Sequence, residues 1–419
     1  MVLIGVVLSM TLLFASIVSG AERRTVNLWA SALPGDFNQL VTQEFPRLVE
    51  EAFPDLRVEV TVVQSRQELE EKRLVAKAAG VGPDVFHEAD SFFKQSAING
   101  SVMALDRYLA EWEGRDDLIV SDAFVYEGKV YGIPYSYRMT GLAYWEDMLD
   151  AAGVSPPQTW NELLAAARHL TIHGSEPGIL EQGGLGTHND VTYDGIYPMQ
   201  VFVEQLGSSM FSEDLRSPRF TTPEARRALE FAHEMYQVAY PTGARPRSGF
   251  VNHGTAMHFW FSTGHATPLL DLYSPDTLKN VRFMKIPGPT GPSDQLGIMA
   301  GWGWAINPDS PRPDDAWQII AFFLSEEIQK RFLASFAPGV LFGARRSLSY
   351  PEETPFLEDA MRIAEPPITT WGPVHPLFGE VVNVAQGPIY EAARGERPLG
   401  NALEEVQRLL TALFNQRTW

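Results

Sequence analysis

The chain has 419 residues, 45% of them hydrophobic and 20% charged, an ordinary globular composition on a length that exceeds what one hydrophobic core usually supports. Its 33 Lys and Arg against 52 Asp and Glu give a formal charge of −19, which repels phosphate backbones and anionic lipid, argues against a nucleic-acid partner, and makes a neutral or cationic ligand easier to accept. The sequence has no cysteine, so disulfides, thiolate metal sites, a Cys nucleophile and a lipid-bearing Cys are excluded.

In chain order, residues 2–18 form an apolar run and Ser19-Gly20-Ala21 supplies small side chains at the −3 and −1 positions of a signal peptidase site. Residues 1–21 are expected to be a signal peptide. The lack of a preceding Lys or Arg, with Arg23-Arg24 after the run, keeps an uncleaved anchor as the alternative. Thr25 to Ala30 reads as a strand, followed by a Pro34-Gly35 turn and a helix carrying Phe37, Leu40, Val41, Phe45, Leu48, Val49 and Phe53 on one face. A second strand spans Val58 to Val63, a helix Gln67 to Ala79 is closed by Gly80, and Gly82-Pro83 leads into a strand at Asp84 to His87. Strand, helix, strand, helix, strand is the signature of a parallel α/β sheet. Ligands of such sheets sit beyond the carboxyl ends of the strands, which singles out Trp29 to Asp36, Gln64 to Arg66 and His87 to Asp90.

The segment Gly128 to Ala167 then reads as a chain leaving one lobe and building another. Its strand, Val130 to Tyr137, is the first expected crossing; Thr159-Trp160-Asn161-Glu162 is a capping box for the next helix. A Gly-rich loop follows at Gly174 to Asp194, and an aromatic strand at Met257 to Phe261. Val281 to Ile286 ends in Pro287-Gly288-Pro289, the second expected crossing. After the short strand Gly301-Trp302-Gly303-Trp304-Ala305-Ile306, a third crossing is expected near Ser325, because Ala316 to Phe336 is too long and too broken in period for one helix.

Six segments together carry a family resemblance: Gly82-Pro83-Asp84-Val85-Phe86, Gly128 to Trp145, Gly254-Thr255-Ala256-Met257, Ile286-Pro287-Gly288-Pro289, Gly301 to Asn307 and Arg345-Arg346-Ser347. In this order the chain resembles an extracellular solute-binding protein of an ABC importer, of the sugar-binding class that includes maltodextrin-binding proteins. The resemblance implies a two-lobed α/β periplasmic-binding-protein fold, each lobe a mostly parallel sheet flanked by helices, joined by three hinge crossings. Lobe 1 would take 22–137 plus 287–325, and lobe 2 would take 138–286 plus 326–419. It also implies a periplasmic monomer that captures a carbohydrate between its lobes and delivers it to a transmembrane permease, with no cofactor, metal or catalysis of its own. Members that lack a true periplasm usually carry a lipid-bearing Cys, which is absent here.

A sugar needs flat aromatics for its C–H faces and fixed polar groups for its hydroxyls. The expected aromatic contacts are Trp29 at the end of the first strand, Tyr135 and Tyr137 on one face of the crossing strand, Trp260, Trp302 between two glycines, and Trp371. A core position is the alternative for Trp29, Trp260 and Trp302, and a surface-loop position for Trp371. The expected polar contacts are Gln64, Asp84, Glu88, Asp90 and Arg345, with Tyr193 and Asp194 from the second lobe; for Asp84 and Arg345 a local structural partner is the alternative. A secreted carbohydrate-active hydrolase is the competing function, since tryptophans with carboxylates also describe a glycosidase cleft. No pattern identifies its pair of acids, and neither GxxxxGK[ST] nor GxSxG occurs.

Overall fold

The computed structural model describes residues 23–33, 36–191, 193–373 and 375–416. The expected signal peptide and the Pro34-Gly35 turn lie outside the described residues. The longer strands are β1 (Arg24–Ser31), β2 (Leu56–Val63), β3 (Val85–Ala89), β4 (Ile133–Trp145), β5 (Ile179–Gly186), β6 (Thr255–Ser262), β7 (Val281–Met284) and β8 (Gly297–Ile306). The longer helices are α1 (Arg66–Ala79), α2 (Trp160–Leu170), α3 (Ile196–Gln205), α4 (Pro223–Ala239), α5 (Pro313–Phe323), α6 (Glu326–Ala334), α7 (Phe378–Ala393) and α8 (Leu399–Asn415).

Local chemistry accounts for the amino-terminal unit. Val26, Leu28 and Ala30 alternate inward on β1, which pairs in parallel with β2 on one side and β3 on the other. The Ser65 hydroxyl accepts from the Glu68 backbone N–H at the start of α1, and Gly80, at φ 70°, ends it in the left-handed region. The capping box at Thr159 and Glu162 forms as its spacing predicts.

The strands join one sheet in the order β2-β1-β3-β8-β4-β6-β5, with β7 also on β4. Among these eight strands, every antiparallel pairing involves β4 or β8, and the remaining pairings are parallel. The sheet as a whole is therefore mixed, because the two strands that tie the lobes together run against their neighbours. Two buried clusters define the lobes. One gathers β1–β3, α5 and α6; the other gathers α2–α4, α7 and α8.

The strand β4 serves both clusters through its pleat: Ala143 and Trp145 pack in the first, Leu142 and Tyr144 in the second. The later segments divide between the two clusters. Val281 and Phe283 pack in the first cluster, Ile286 and Ile298 in the second, and Met299 again in the first, so the stretch around Pro287-Gly288-Pro289 serves both cores. The break between α5 and α6 is present, but α6 stays in lobe 1. Its Phe332 lies 5.9 Å from Phe37 and 5.3 Å from Tyr135 between ring centroids. Residues beyond Ser325 thus remain with the first core, and the return to the second is complete at Phe378.

Candidate functional site

Side chains from both lobes converge on the face of β4 that carries Ser136, Arg138 and Thr140. The Arg138 guanidinium lies over the Trp371 ring, 3.7 Å from its centroid. The Trp371 indole N–H donates to the Thr140 hydroxyl at 2.9 Å. From lobe 2, Tyr193 meets the Trp371 ring at 5.5 Å and His188 at 4.8 Å, while His265 lies 6.1 Å from Trp371. From lobe 1, Asp90 accepts from the Gly301 backbone N–H at 2.8 Å and from the Ser91 backbone N–H at 2.7 Å. Burial pushes the Asp90 carboxyl up to about 6, although these hydrogen bonds and the Arg138 charge pull the other way.

A cavity of about 460 Å³ lies beside this cluster, walled by Lys94 and Asp122 from lobe 1, Gln200, Glu204 and Phe211 from lobe 2, and the Ile368–Thr370 stretch leading to Trp371. Its size suits a small ligand. Burial raises the Glu204 carboxyl and lowers the Lys94 ammonium, and Gln200 Oε1 is buried without a partner. Where the lobes touch, Phe92 of lobe 1 meets Phe378 of lobe 2 edge-on at 4.8 Å, and the Arg66 guanidinium lies over the Phe92 ring, 3.1 Å from its centroid.

The sequence-predicted residues divide by placement. Asp90, Tyr193 and Trp371 stand in the converging cluster. Trp302 is half-buried at the end of β3, stacked on His87 at 4.7 Å. Glu88 is buried and holds Arg66 at 2.9 Å and Arg73 at 3.6 Å, so it reaches the cleft through Arg66 rather than by its own oxygens. Asp194 turns inward to accept from the Thr187 hydroxyl at 2.8 Å and shapes the loop that presents Tyr193.

The other placements correct the expectation. Tyr135 and Tyr137 are fully buried in lobe 1, the first against Trp304, Phe332 and His87, the second donating its hydroxyl to the Ile119 carbonyl at 2.6 Å. The alternate face of the same strand, with Arg138, looks into the cleft. Trp260 is fully buried in the core of lobe 2, at a bulge where its φ is 62°. Trp29 packs beneath α1, with Lys72 4.5 Å from its ring. Gln64 is exposed beside α1, its backbone N–H tied to Glu68. Asp84 locks β1 to the segment after β8 by accepting from the Asn27 N–H at 2.8 Å and the Ser310 hydroxyl at 2.5 Å. Arg345 pairs with Asp117 at 2.6 Å and donates to the Leu324 carbonyl.

Arg138, Arg66, His188 and His265 were not among the expected contacts. The period-2 pattern of Ile133 to Thr140 offers both faces of the strand, and the aromatic one is the core face because its rings fill lobe 1. His87 is likewise a core group: its Nε2 accepts from the Ser31 N–H at 2.7 Å, and burial lowers it to about 3. Among the described residues no group of three His, Cys, Asp or Glu side chains has the geometry to hold a metal ion, and no helix is long and apolar enough to cross a membrane.

The model of the family described as bacterial extracellular solute-binding protein matches residues 31–330. A Brucella abortus (strain 2308) chain is 24% identical over 334 residues, 78% of this chain and 77% of its own length. The maltotriose-binding protein of Pyrococcus abyssi is 27% identical over 218 residues, 50% of this chain and 42% of its own. Among solved structures, the sugar-binding protein MalE from Xanthomonas citri superposes with a TM-score of 0.77 at 20% identity, covering 94% of this chain and 98% of that one.

Proposed function

Because the chain belongs to the bacterial extracellular solute-binding protein family, we propose that it is an extracytoplasmic receptor that captures a sugar or short oligosaccharide between its lobes and passes it to an ABC-transporter permease. The observation that carries this reading is the meeting of Arg138, Trp371, Tyr193 and Asp90 from two lobes and a crossing strand around one site. The Trp and Tyr rings suit the apolar faces of a pyranose, and Asp90 with the neighbouring hydroxyls suits its edges. The names of the Pyrococcus and Xanthomonas proteins support a carbohydrate over other solutes.

Transport coupling follows from the arrangement. A ligand that touches both lobes binds the closed form better than the open one, and only that difference shifts the equilibrium toward the form a permease would select. The family is one of binding proteins, and the chain is proposed to leave its sugar intact. The test is a titration of tryptophan fluorescence and melting temperature against a panel of mono- and oligosaccharides. A saturable response to a sugar that is recovered unaltered is expected. A response to amino acids alone, or turnover of the sugar, would overturn the proposal.

A further inference from the structure

Arg138 is a charged side chain with no hydrogen-bond or ion-pair partner among the described residues. It is half-buried on β4, and its Nε is shut off from solvent without a hydrogen-bond partner. Buried charges are ordinarily paired, since an isolated one loses its hydration with nothing in return. Nothing nearby supplies the counter-charge in full. Asp90 is within electrostatic reach, but its oxygens are engaged by Gly301 and Ser91. Glu88 is shared by Arg66 and Arg73. The other groups acting on the guanidinium are phenols, Tyr193 and Tyr197, and the imidazole of His265 lies close by. Trp371 covers one face of the guanidinium and limits its hydration.

We infer that the ligand of this cleft is a sugar bearing an acid group, a uronate carboxylate, with Arg138 as its binding partner. The inference rests on the sugar-receptor proposal and narrows it. A guanidinium presents parallel N–H donors in a plane that match the two oxygens of a carboxylate, and the stacking on Trp371 holds that plane in place. The formal charge of −19 belongs to the whole chain and does not describe this site. Here Arg138 and Arg66 reach the cleft, and the nearest carboxyl, Asp90, is desolvated and hydrogen-bonded.

The test is calorimetric titration of the whole protein with matched ligands: glucuronate against glucose, galacturonate against galactose, and glucose 6-phosphate as the other anion. The uronate of at least one pair should bind about tenfold or more tightly than its neutral partner, in line with a charge-assisted hydrogen bond. Arg138→Gln should abolish that advantage, and Arg138→Lys, which keeps the charge and loses the fork, should retain part of it. Melting curves identify any variant that fails to fold, in which case the wild-type pairs decide. Equal or tighter binding of the neutral sugars would overturn the acid-group inference and leave the receptor intact. A preference for the phosphate over both uronates would overturn the carboxylate assignment. Binding of no sugar of any kind would overturn the inference and the receptor proposal together.

Discussion

At Asp90 the surroundings work against charge. Burial raises its carboxyl from 3.8 to about 6, so this group contributes stability that is full below about pH 4 and lost as pH rises through about 6. Asp90→Asn removes that dependence. Relative to the wild type, the variant should gain on the order of 2–3 kcal/mol between pH 4 and pH 8, measured by denaturant unfolding at the two pH values; an unchanged difference would show that Asp90 is not desolvated. Tyr135 supplies the complementary case. Its hydroxyl meets His87 Nδ1 at 3.1 Å inside lobe 1. Tyr135→Phe should therefore cost about 1 kcal/mol of stability and leave sugar affinity at the wild-type value. A loss of affinity without a loss of stability would return the tyrosine to the ligand.

These two residues show where residue-level legibility ended. The place of Asp90 in the fold is legible, because it follows a strand of a parallel pair and β3 has that topology. The choice between faces of β4 was not visible. Alternation fixes that Tyr135 and Tyr137 share a face and that Arg138 takes the other, but it does not say which face meets ligand. Aromatic character favours the core as strongly as a sugar. Trp260, Trp29 and Arg345 failed for the same reason, each satisfying a local structural need that has no signature in spacing.

Between elements, Phe92 and Phe378 meet edge-to-face at 4.8 Å. Phe378 is the first residue of α7 and Phe92 follows β3, so neither ring spans a lobe by itself. Phe378→Ala should favour the open form and weaken sugar binding by about threefold to tenfold, the worth of one aromatic pair, with a larger radius of gyration in small-angle scattering. Wild-type affinity and radius in the variant would show that the contact does not bias closure. Helices and strands themselves were largely readable. The Ser65 and Thr159 caps and the closing Gly80 are local signals that packing did not override. The crossings were harder, because β4 and β8 contribute to both cores.

For the whole molecule, acid should be destabilising. His87 and His375 are fully buried, and burial lowers them from 6.5 to about 3 and about 4. Their neutral forms contribute stability that is present above about pH 6.5 and lost as pH falls toward those values. Each costs about 1.4 kcal/mol per pH unit in that window; His258 and His265 are lowered by burial in the same sense, while the raised carboxyls of Asp90, Asp194 and Glu204 act in the opposite one. The melting temperature should accordingly be lower at pH 4.5 than at pH 7; an equal or higher value would mean that these imidazoles accept protons without leaving their sites.

The two-lobed organisation brings residues from both lobes and from β4 to one place. The most direct test is a crystal structure of the protein with the sugar that binds it most tightly. The ligand should lie between the lobes, within hydrogen-bonding distance of Arg138 and against Trp371 or Tyr193. A sugar seated on one lobe alone, away from β4, would contradict the account.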